Sequence, residues 1–348
     1  KPARWWDERP GRWIAEDVWP AERIERQVFY LGGEGALVGA AAEISAEICS
    51  PADCGTDAGV YFPFAFGDEL PDEQSDDDAK SLCFDGAELA EAIDIVGAPE
   101  ITLRLSADKS KAQIAVRLCD LRPDGTSAHI TYGVLNLTHV RSHEHPELLT
   151  PGEVFEAAIT LDQIAYRIPA GHRLRVAIST SYWPTLWPAP DAATLTILGG
   201  EFSLPSRPLA DGDEWEFEEP EGAPGWKHES LRPTSYSRDT HTDPKTGEVH
   251  IDISSDFGEN RDSDHGLISG GWAKERWSIH PDNPLSAKGT AEWEQTGGRE
   301  GQMWRTHVEA EMTSDTDNFH HRAVLRAYEN GTLVFEREHD HVQPRDTH

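Results

Sequence analysis

Serine, histidine and acidic residues are the first places to look for chemistry in this sequence, because these three types together form the catalytic triad of many hydrolases. The string closest to the nucleophile-elbow motif G-x-S-x-G is GLISGG at 266–271, where Gly270 follows Ser269 but Gly266 stands one position too far back. The elbow also needs a strand, a sharp turn and a helix to aim the serine hydroxyl, and the flanking sequence does not predict that arrangement. We therefore predict that this chain contains no catalytic residue.

Histidine is the other residue type that could support chemistry, because the chain contains 16 of them. Three pairs are closely spaced: His143 with His145, His320 with His321, and His339 with His341. Zinc sites require three or four ligands held by a second shell of hydrogen bonds, and the sequence surrounds no pair with such a set. The acidic turns at 243–248 and 262–266 lack the ligand series of a calcium loop. We therefore expect no metal and no cofactor, and a metal-dependent enzyme is the least favoured function.

Aromatic residues cluster in three segments of the sequence. The first holds Trp5, Trp6, Trp13 and Trp19, the second Tyr61, Phe62, Phe64 and Phe66, and the third Tyr182, Trp183 and Trp187 among prolines. Such side chains either complete a hydrophobic core or contact a partner. Arginines interleaved with the first cluster favour a partner surface, because guanidinium groups stack on aromatic rings. We predict that part of the first cluster, with Phe62, Phe64 or Phe66, is exposed.

The elements that must position these side chains are predicted to be β-strands. Apolar and polar residues alternate in four segments: 101–105, 114–118, 174–178 and 249–253. A period of two is typical of strands with one buried face. The segment RPDGT at 122–126 and the dipeptide Asn330-Gly331 are hairpin turn signals. Gly171 is expected to form a tight turn before the third of these strands, with His172 as a structural hydrogen-bonding residue.

A domain boundary is predicted near 205–225, where proline, glycine and acidic residues are concentrated as in exposed linkers. Strand patterns continue beyond it. Trp304, Val308 and Met312 share one face of a predicted strand, which indicates a dry face opposite a wet one. We therefore predict an all-β protein with little helix and two antiparallel domains, residues 1–208 and residues 209–348.

Charge and composition exclude several partners. The formal net charge is −32, from 63 acidic and 31 basic residues. A field of that sign repels phosphate backbones and anionic lipid surfaces, so we expect neither nucleic acid nor a membrane as a partner. The four cysteines fit no zinc or thioredoxin spacing, and the first residues do not read as a signal peptide. These features predict a cytoplasmic protein. The opening at Lys1 favours a chain whose first part is missing, with a mature processed chain as the alternative.

Five segments, in order, resemble one family of hydrolases. They are GRWIAEDVWP (11–20), YLGGEGAL (30–37), DEQSDDDAKSLCFDGAEL (72–89), the paired strands and turn of 95–133, and IPAGHRLRVAISTSYWP (168–184). Each motif is weak alone. The ordered series resembles the C-terminal domain of the X-prolyl dipeptidyl peptidases and of the cocaine-esterase-type (CocE/NonD) serine hydrolases.

The resemblance implies a galactose-binding-like jelly-roll β-sandwich for 1–208, without a catalytic role. It also implies a preceding α/β-hydrolase domain as the partner on which the sandwich packs and whose active-site entrance it helps to shape. In that setting the residues that dock the two domains are Trp5, Trp6, Trp13 and Trp19. The residues that face the substrate are Tyr61, Phe62, Phe64, Phe66, Trp183 and Trp187.

The resemblance ends near residue 210, and the predicted β domain of 209–348 matches no module that we recognise. An alternative function is a stand-alone β-sandwich that binds carbohydrate, because fold alone does not determine function. A narrow groove with an aromatic floor and a polar rim favours carbohydrate, whereas a flat apolar patch favours docking. Homo-oligomer formation stays open.

Overall fold

The computed structural model of the protein describes residues 11–63, 69–208 and 214–348. Nearly all regular structure in these ranges is antiparallel β-strand, and helix is limited to short turns such as α1 (Ser75–Asp78). The all-β prediction is therefore confirmed. Within the same residues, no helix is long and apolar enough to cross a membrane.

The chain divides into two compact units that do not follow the sequence in one cut. The first contains Lys1–Ser50, Leu70–Thr180 and Ala193–Ala223, and the second contains Pro51–Glu69, Ser181–Ala192 and Pro224–His348. The predicted boundary between 208 and 209 assigned Pro51–Glu69 and Ser181–Ala192 to the first domain. In the structure both segments belong to the second unit instead.

Two antiparallel sheets form the first unit. The larger contains β1 (Glu25–Leu31), β2 (Leu37–Val38), β3 (Ala46–Ile48), β5 (Ile93–Gly97), β6 (Glu100–Ala107), β9 (Phe155–Thr160), β10 (Ile164–Ile168) and β12 (Leu195–Arg207). The smaller contains β4 (Leu82–Asp85), β7 (Gln113–Leu121), β8 (Ser127–Asn136) and β11 (Arg173–Ser179). The long strand β12 is the centre of the larger sheet, because it pairs with β1, β3, β5 and β6.

Side chains from both sheets of the first unit share one hydrophobic core. Ile101 and Leu103 of β6 belong to the same buried cluster as Val116 of β7 and Val176 of β11. These are the apolar positions of the predicted alternating strands; in β6 the period of two identified the buried face, whereas β7 is buried on both faces. Two sheets around one core make this unit a β-sandwich.

The predicted turns of the first unit are confirmed. Between β7 and β8, the Arg122 amide donates to the Thr126 carbonyl at 2.9 Å, and Asp124 Oδ1 accepts from the Thr126 amide at 3.0 Å. Gly125 has φ +90° and Gly171 has φ +82°, conformations that favour glycine. Glycine is therefore required by the backbone at both turns.

One eight-stranded antiparallel sheet forms most of the second unit. Its strands are β13 (His228–Arg232), β14 (Ser235–Thr242), β15 (Val249–Asp262), β16 (Ile268–His280), β17 (Asn283–Arg299), β18 (Gln302–Ser314), β19 (Asn318–Glu329) and β20 (Thr332–Pro344). From β15 to β20 each strand pairs with the next, and β13 and β14 both pair with β15. The predicted turn at Asn330 and Gly331 joins β19 to β20, with φ +46° and +80°.

The expectation of a dry face on the strand at 304–312 is wrong. Trp304 is exposed, and Val308 and Met312 are only half-buried. The buried cluster of this unit lies elsewhere, where Trp183 meets Ile251 and Ile279. Alternation therefore predicted the strand, but burial would have needed apolar side chains packed against that face.

Candidate docking surface

A partly buried ion pair fixes the N-terminal segment of the described chain to β12. Glu16 accepts hydrogen bonds from the fully buried Arg207 at 2.6 Å and from Arg23 at 2.9 Å. Burial raises the pKa of Glu16, but the hydrogen bonds from the two arginines outweigh it and hold that pKa below its usual value. Ile14 forms an isolated antiparallel bridge with Glu214. The segment therefore has a defined path on the unit.

Three aromatic rings are held together beside that bridge, and we call them the aromatic patch: Trp13, Trp215 and Phe217. The Trp215 amide donates to the Trp13 carbonyl at 2.9 Å. Phe217 packs edge-on against Trp13 with ring centroids 5.3 Å apart, and it lies 6.4 Å from Trp215. The exposed fractions are 68% for Trp13, 53% for Trp215 and 66% for Phe217. Apolar rings that are ordered by one another yet exposed indicate a contact surface.

Further apolar and charged residues lie on the same N-terminal segment. Val18 and Trp19 are also more than half exposed. Arg12 Nη2 lies 3.6 Å from Asp94 Oδ2, and Arg167 donates to both Asp94 oxygens at 2.5 and 2.8 Å. The segment thus has ion pairs as well as apolar side chains.

The sequence prediction found Trp13 and Trp19 but missed Trp215 and Phe217. The signal was available, since both missed rings lie in the acidic, proline-rich stretch that was interpreted only as a linker. Trp5 and Trp6, predicted as docking residues, lie outside the described residues.

The predicted substrate-facing residues divide into three groups. Tyr61 is 78% exposed and Phe62 is 70% exposed, as expected for a surface role. Phe64 and Phe66 lie outside the described residues. The remaining two, Trp183 and Trp187, lie in the second unit, and Trp187 is half-buried.

The assignment of Trp183 to a substrate wall is corrected by its surroundings. Its ring has no exposed surface, and it contacts the rings of Trp187 at 5.5 Å and Trp277 at 6.0 Å. The Trp183 amide donates to the Cys54 carbonyl at 2.7 Å. Trp183 is therefore a core residue of the second unit, because the segment that carries it packs on the sheet.

The other contacts of this segment support the same role. Trp187 Nε1 donates to Ser314 Oγ at 2.9 Å, and its ring lies 6.4 Å from that of Phe319. Arg345 Nη2 donates to the Pro188 carbonyl at 2.5 Å. Gly55 has φ +111°, and a Cβ there would lie 2.6 Å from the Trp183 amide nitrogen. This close approach is the reason for a glycine at 55.

A buried charge network in the first unit was also missed by sequence reasoning. Arg117, which has no exposed surface, donates to Gln74 at 2.7 Å and lies 3.0 Å from Asp78. Arg175 lies 3.0 Å from Asp78 and donates to both Asp85 oxygens at 2.7 and 2.8 Å. The acidic run at 76–78 beside an apolar strand was the available signal. The network joins α1 to the smaller sheet.

His172 has the structural surroundings expected of it. Its Nδ1 lies 2.7 Å from Oδ1 of the fully buried Asp120, and the Tyr166 hydroxyl donates to Asp120 Oδ2 at 3.1 Å. These bonds join β7, β10 and the turn before β11. A histidine held in this way stabilises the sandwich.

Comparisons with known proteins agree with the resemblance seen in the sequence. The model of the X-Pro dipeptidyl-peptidase C-terminal non-catalytic domain matches residues 1–234. Cocaine esterase from Rhodococcus sp. (strain MB1 Bresler) is 25% identical over 186 residues, covering 49% of this chain and 32% of that protein. A putative serine esterase from Mycobacterium bovis is 26% identical over 214 residues, covering 55% of this chain and 32% of that protein.

One solved structure is also similar to part of the chain. An aminopeptidase from a marine sediment archaeon, Thaumarchaeota archaeon, matches with a TM-score of 0.49 and 20% identity, covering 55% of this chain and 38% of that one. The chain spans 32% of the length of each of the two curated relatives.

Proposed function

This chain belongs to the family of X-Pro dipeptidyl-peptidase C-terminal non-catalytic domains, and from that premise we propose that it packs on the α/β-hydrolase domain of a serine hydrolase and helps to shape the active-site entrance. The catalytic serine, aspartate and histidine belong to that other domain. The substrate class is an ester or an X-Pro peptide. The names of the relatives, cocaine esterase and putative serine esterase, support an ester.

The aromatic patch carries this proposal. Trp13, Trp215 and Phe217 are exposed apolar rings whose positions are set by contacts with one another. The Glu16–Arg207 ion pair beneath them keeps the N-terminal segment in place. Rigid aromatic side chains are typical anchors of protein interfaces, because they bury a large area with little loss of conformational freedom. We assign the patch to the catalytic-domain interface.

Tyr61 and Phe62 carry the second part of the proposal. Both rings are exposed, in a loop whose Val60 amide donates to the Glu69 carbonyl at 2.9 Å. Aromatic side chains on a loop closed at its base suit the wall of a substrate entrance. We propose that these two residues contribute to substrate selection and not to the chemical step.

The proposed location is the cytoplasm. Cys49, Cys83 and Cys119 are free thiols. Disulfides form in oxidising compartments and are rare in the cytosol. Free thiols at these three positions favour a reducing compartment.

Tryptophan oxidation tests the docking surface. The chain alone is compared with the product of its complete coding sequence, and modified residues are identified by mass spectrometry. We expect Trp13 and Trp215 to be oxidised in the chain alone and protected severalfold in the complete protein. Trp226 of the second unit is the matched control, because it is equally exposed and should react alike in both samples. Equal reactivity of Trp13 and Trp215 in both samples would contradict the assignment.

Activity provides a separate test of the non-catalytic role. The chain alone should hydrolyse neither a p-nitrophenyl ester nor an X-Pro anilide above background, and a fluorophosphonate probe should not label it. The complete protein should do both. Labelling of the chain alone would show that it carries its own nucleophile. A complete coding sequence without a hydrolase domain would refute the proposed partner.

A further inference from the structure

Two carboxylates and one imidazole converge on one face of the eight-stranded sheet. In the register of β17 and β18, Glu292 lies directly opposite Glu309. His307 precedes Glu309 by two residues, so it projects from the same face. One donor atom from each of the three residues lies within 4.8 Å of the others. The sheet therefore presents an oxygen, oxygen, nitrogen donor set at a single point.

The cationic side chains beside this cluster also have other partners: Lys274, opposite Glu292 in the register of β16 and β17, holds its Nζ 5.0 Å from the Trp272 ring centroid. Carboxylates placed directly opposite each other on neighbouring strands repel. His307 Nε2 lies 2.9 Å from Glu292 Oε1. Arg326 Nη1 lies 3.4 Å from Glu309 Oε2, but its Nε donates at 2.7 Å to Glu336. The nearest arginine is thus shared with a second carboxylate, and a cation between the two glutamates would relieve the repulsion.

The surroundings allow an ion to enter and to keep additional ligands. Glu292 and Glu309 line a trough of about 810 Å³ to which every strand from β14 to β20 contributes. The His307 side chain is largely buried beside the Trp272 ring, whose centroid is 6.2 Å from that of the imidazole. The imidazole nitrogen is therefore held in place, whereas the two carboxylates are more exposed and lie on the solvent side of the imidazole. Three protein ligands leave coordination positions for water or a small ligand.

We propose that Glu292, His307 and Glu309 bind a divalent first-row metal ion such as Zn²⁺. Imidazole nitrogen and carboxylate oxygen are both ordinary ligands of that ion, at about 2.0–2.2 Å. Bonds of that length require the glutamate side chains to rotate inward. Glu309 exchanges its contact with Arg326 for the metal, which leaves that arginine with Glu336.

Calorimetric titration of the full 348-residue chain with ZnCl₂, after removal of any tag, tests the site. We expect one ion per chain, and binding at least about tenfold weaker in Glu292→Gln and in His307→Gln. Glu311→Gln is the matched control, because Glu311 lies on the same face of β18 and its carboxylate is 2.6 Å from Lys288. This control removes one negative charge without removing a proposed ligand, so the Zn²⁺ affinity of the Glu311→Gln variant should equal that of the unaltered chain.

Two further measurements separate this site from adventitious binding. Arg326→Gln frees Glu309 and should tighten Zn²⁺ binding. In the unaltered chain, Mn²⁺ should broaden the ring resonances of His307 before those of His321 and His341, a result that does not depend on the folding of any variant. Absence of Zn²⁺ binding at millimolar concentration would overturn the proposal. Unchanged affinity in His307→Gln, or equal competition by Ca²⁺, would do the same, because either result means that the imidazole is not a ligand.

Discussion

The two units of this chain use the same strand pattern to different effect. In the sandwich of the first unit, 25 apolar residues form one buried cluster. In the second unit the strands are longer, yet the described buried cluster holds five residues, namely Ala52, Trp183, Ile251, Ile279 and Ala287. Two of these five come from loop segments outside the sheet. A single sheet therefore obtains its core from connecting segments, whereas two facing sheets obtain it from each other.

The alternation of apolar residues along a strand and the burial of one of its faces are therefore separate properties. An alternating strand has an apolar side because side chains point to opposite faces. That side becomes dry only where other apolar atoms pack against it. Leu103 of β6 and Leu325 of β19 are both strand leucines, but Leu103 has no exposed surface and Leu325 is only half-buried.

Removal of Trp183 should produce the largest loss of stability among the changes considered, and the loss should fall on the second unit. Trp183→Ala deletes the largest fully buried side chain and should destabilise the second unit by about 3–5 kcal/mol. Hydrogen exchange should then accelerate at Ile251 and Ile279 but not at Val116 of the first unit. Trp226→Ala, at an exposed position of the second unit, is the control. An equal loss in both variants would show that the loop core does not stabilise the sheet.

Two leucine substitutions, one in each unit, compare a closed core with a half-buried sheet face. Leu103→Ala should lower the free energy of unfolding by about 2–5 kcal/mol, because it leaves a cavity in a closed core. Leu325→Ala should cost about 1 kcal/mol or less, because the solvent already reaches that side chain. Urea unfolding, followed by local hydrogen exchange in each unit, measures both. Similar losses for the two substitutions would mean that the sheet face around Leu325 is covered in solution.

The smallest effect concerns thiol accessibility and needs no substitution. Desolvation, with the nearby Asp78 carboxylate, raises the pKa of Cys83 to about 12, and burial raises that of Cys119 to about 12. The reactive thiolate becomes abundant only above the pKa, so at pH 8 the thiols of Cys83 and Cys119 should be almost inert.

The order in which the cysteines react with Ellman's reagent should therefore follow their exposure in the structure. Exposed Cys49 should react first, and Cys54 next, because its loop must open away from the second sheet. Cys83 and Cys119 should react last, and all four should react in guanidinium chloride. If Cys119 were labelled before Cys54, the loop core would be more stable than the sandwich.

Local features of the molecule were predictable because they depend on neighbouring residues. The hairpin at 122–126 and the turn at Asn330 and Gly331 follow from turn chemistry that only a few residue types satisfy. The buried face of β6 followed from alternation. The family resemblance also came from ordered segments, and the match over residues 1–234 confirms it.

The candidate sites were only partly predictable. Trp13 was identified from its cluster, but its partners Trp215 and Phe217 are about 200 residues away in sequence and meet it through a backbone bond between Trp13 and Trp215. The Glu292, His307 and Glu309 cluster requires the exact register of β17 against β18. A shift of one residue would move Glu309 to the other face.

The all-β class, the positions of the tight turns and the family resemblance could all be predicted from the sequence, because pleat, turn conformation and segment order are properties of adjacent residues. Only the tertiary structure decided which tryptophans are buried. Trp13 and Trp183 both lie in segments rich in tryptophan, yet one is 68% exposed and the other 0%. Burial depends on atoms that other parts of the chain supply. The rings of Trp187 and Trp277 pack against Trp183, whereas more than half of the Trp13 side chain stays exposed.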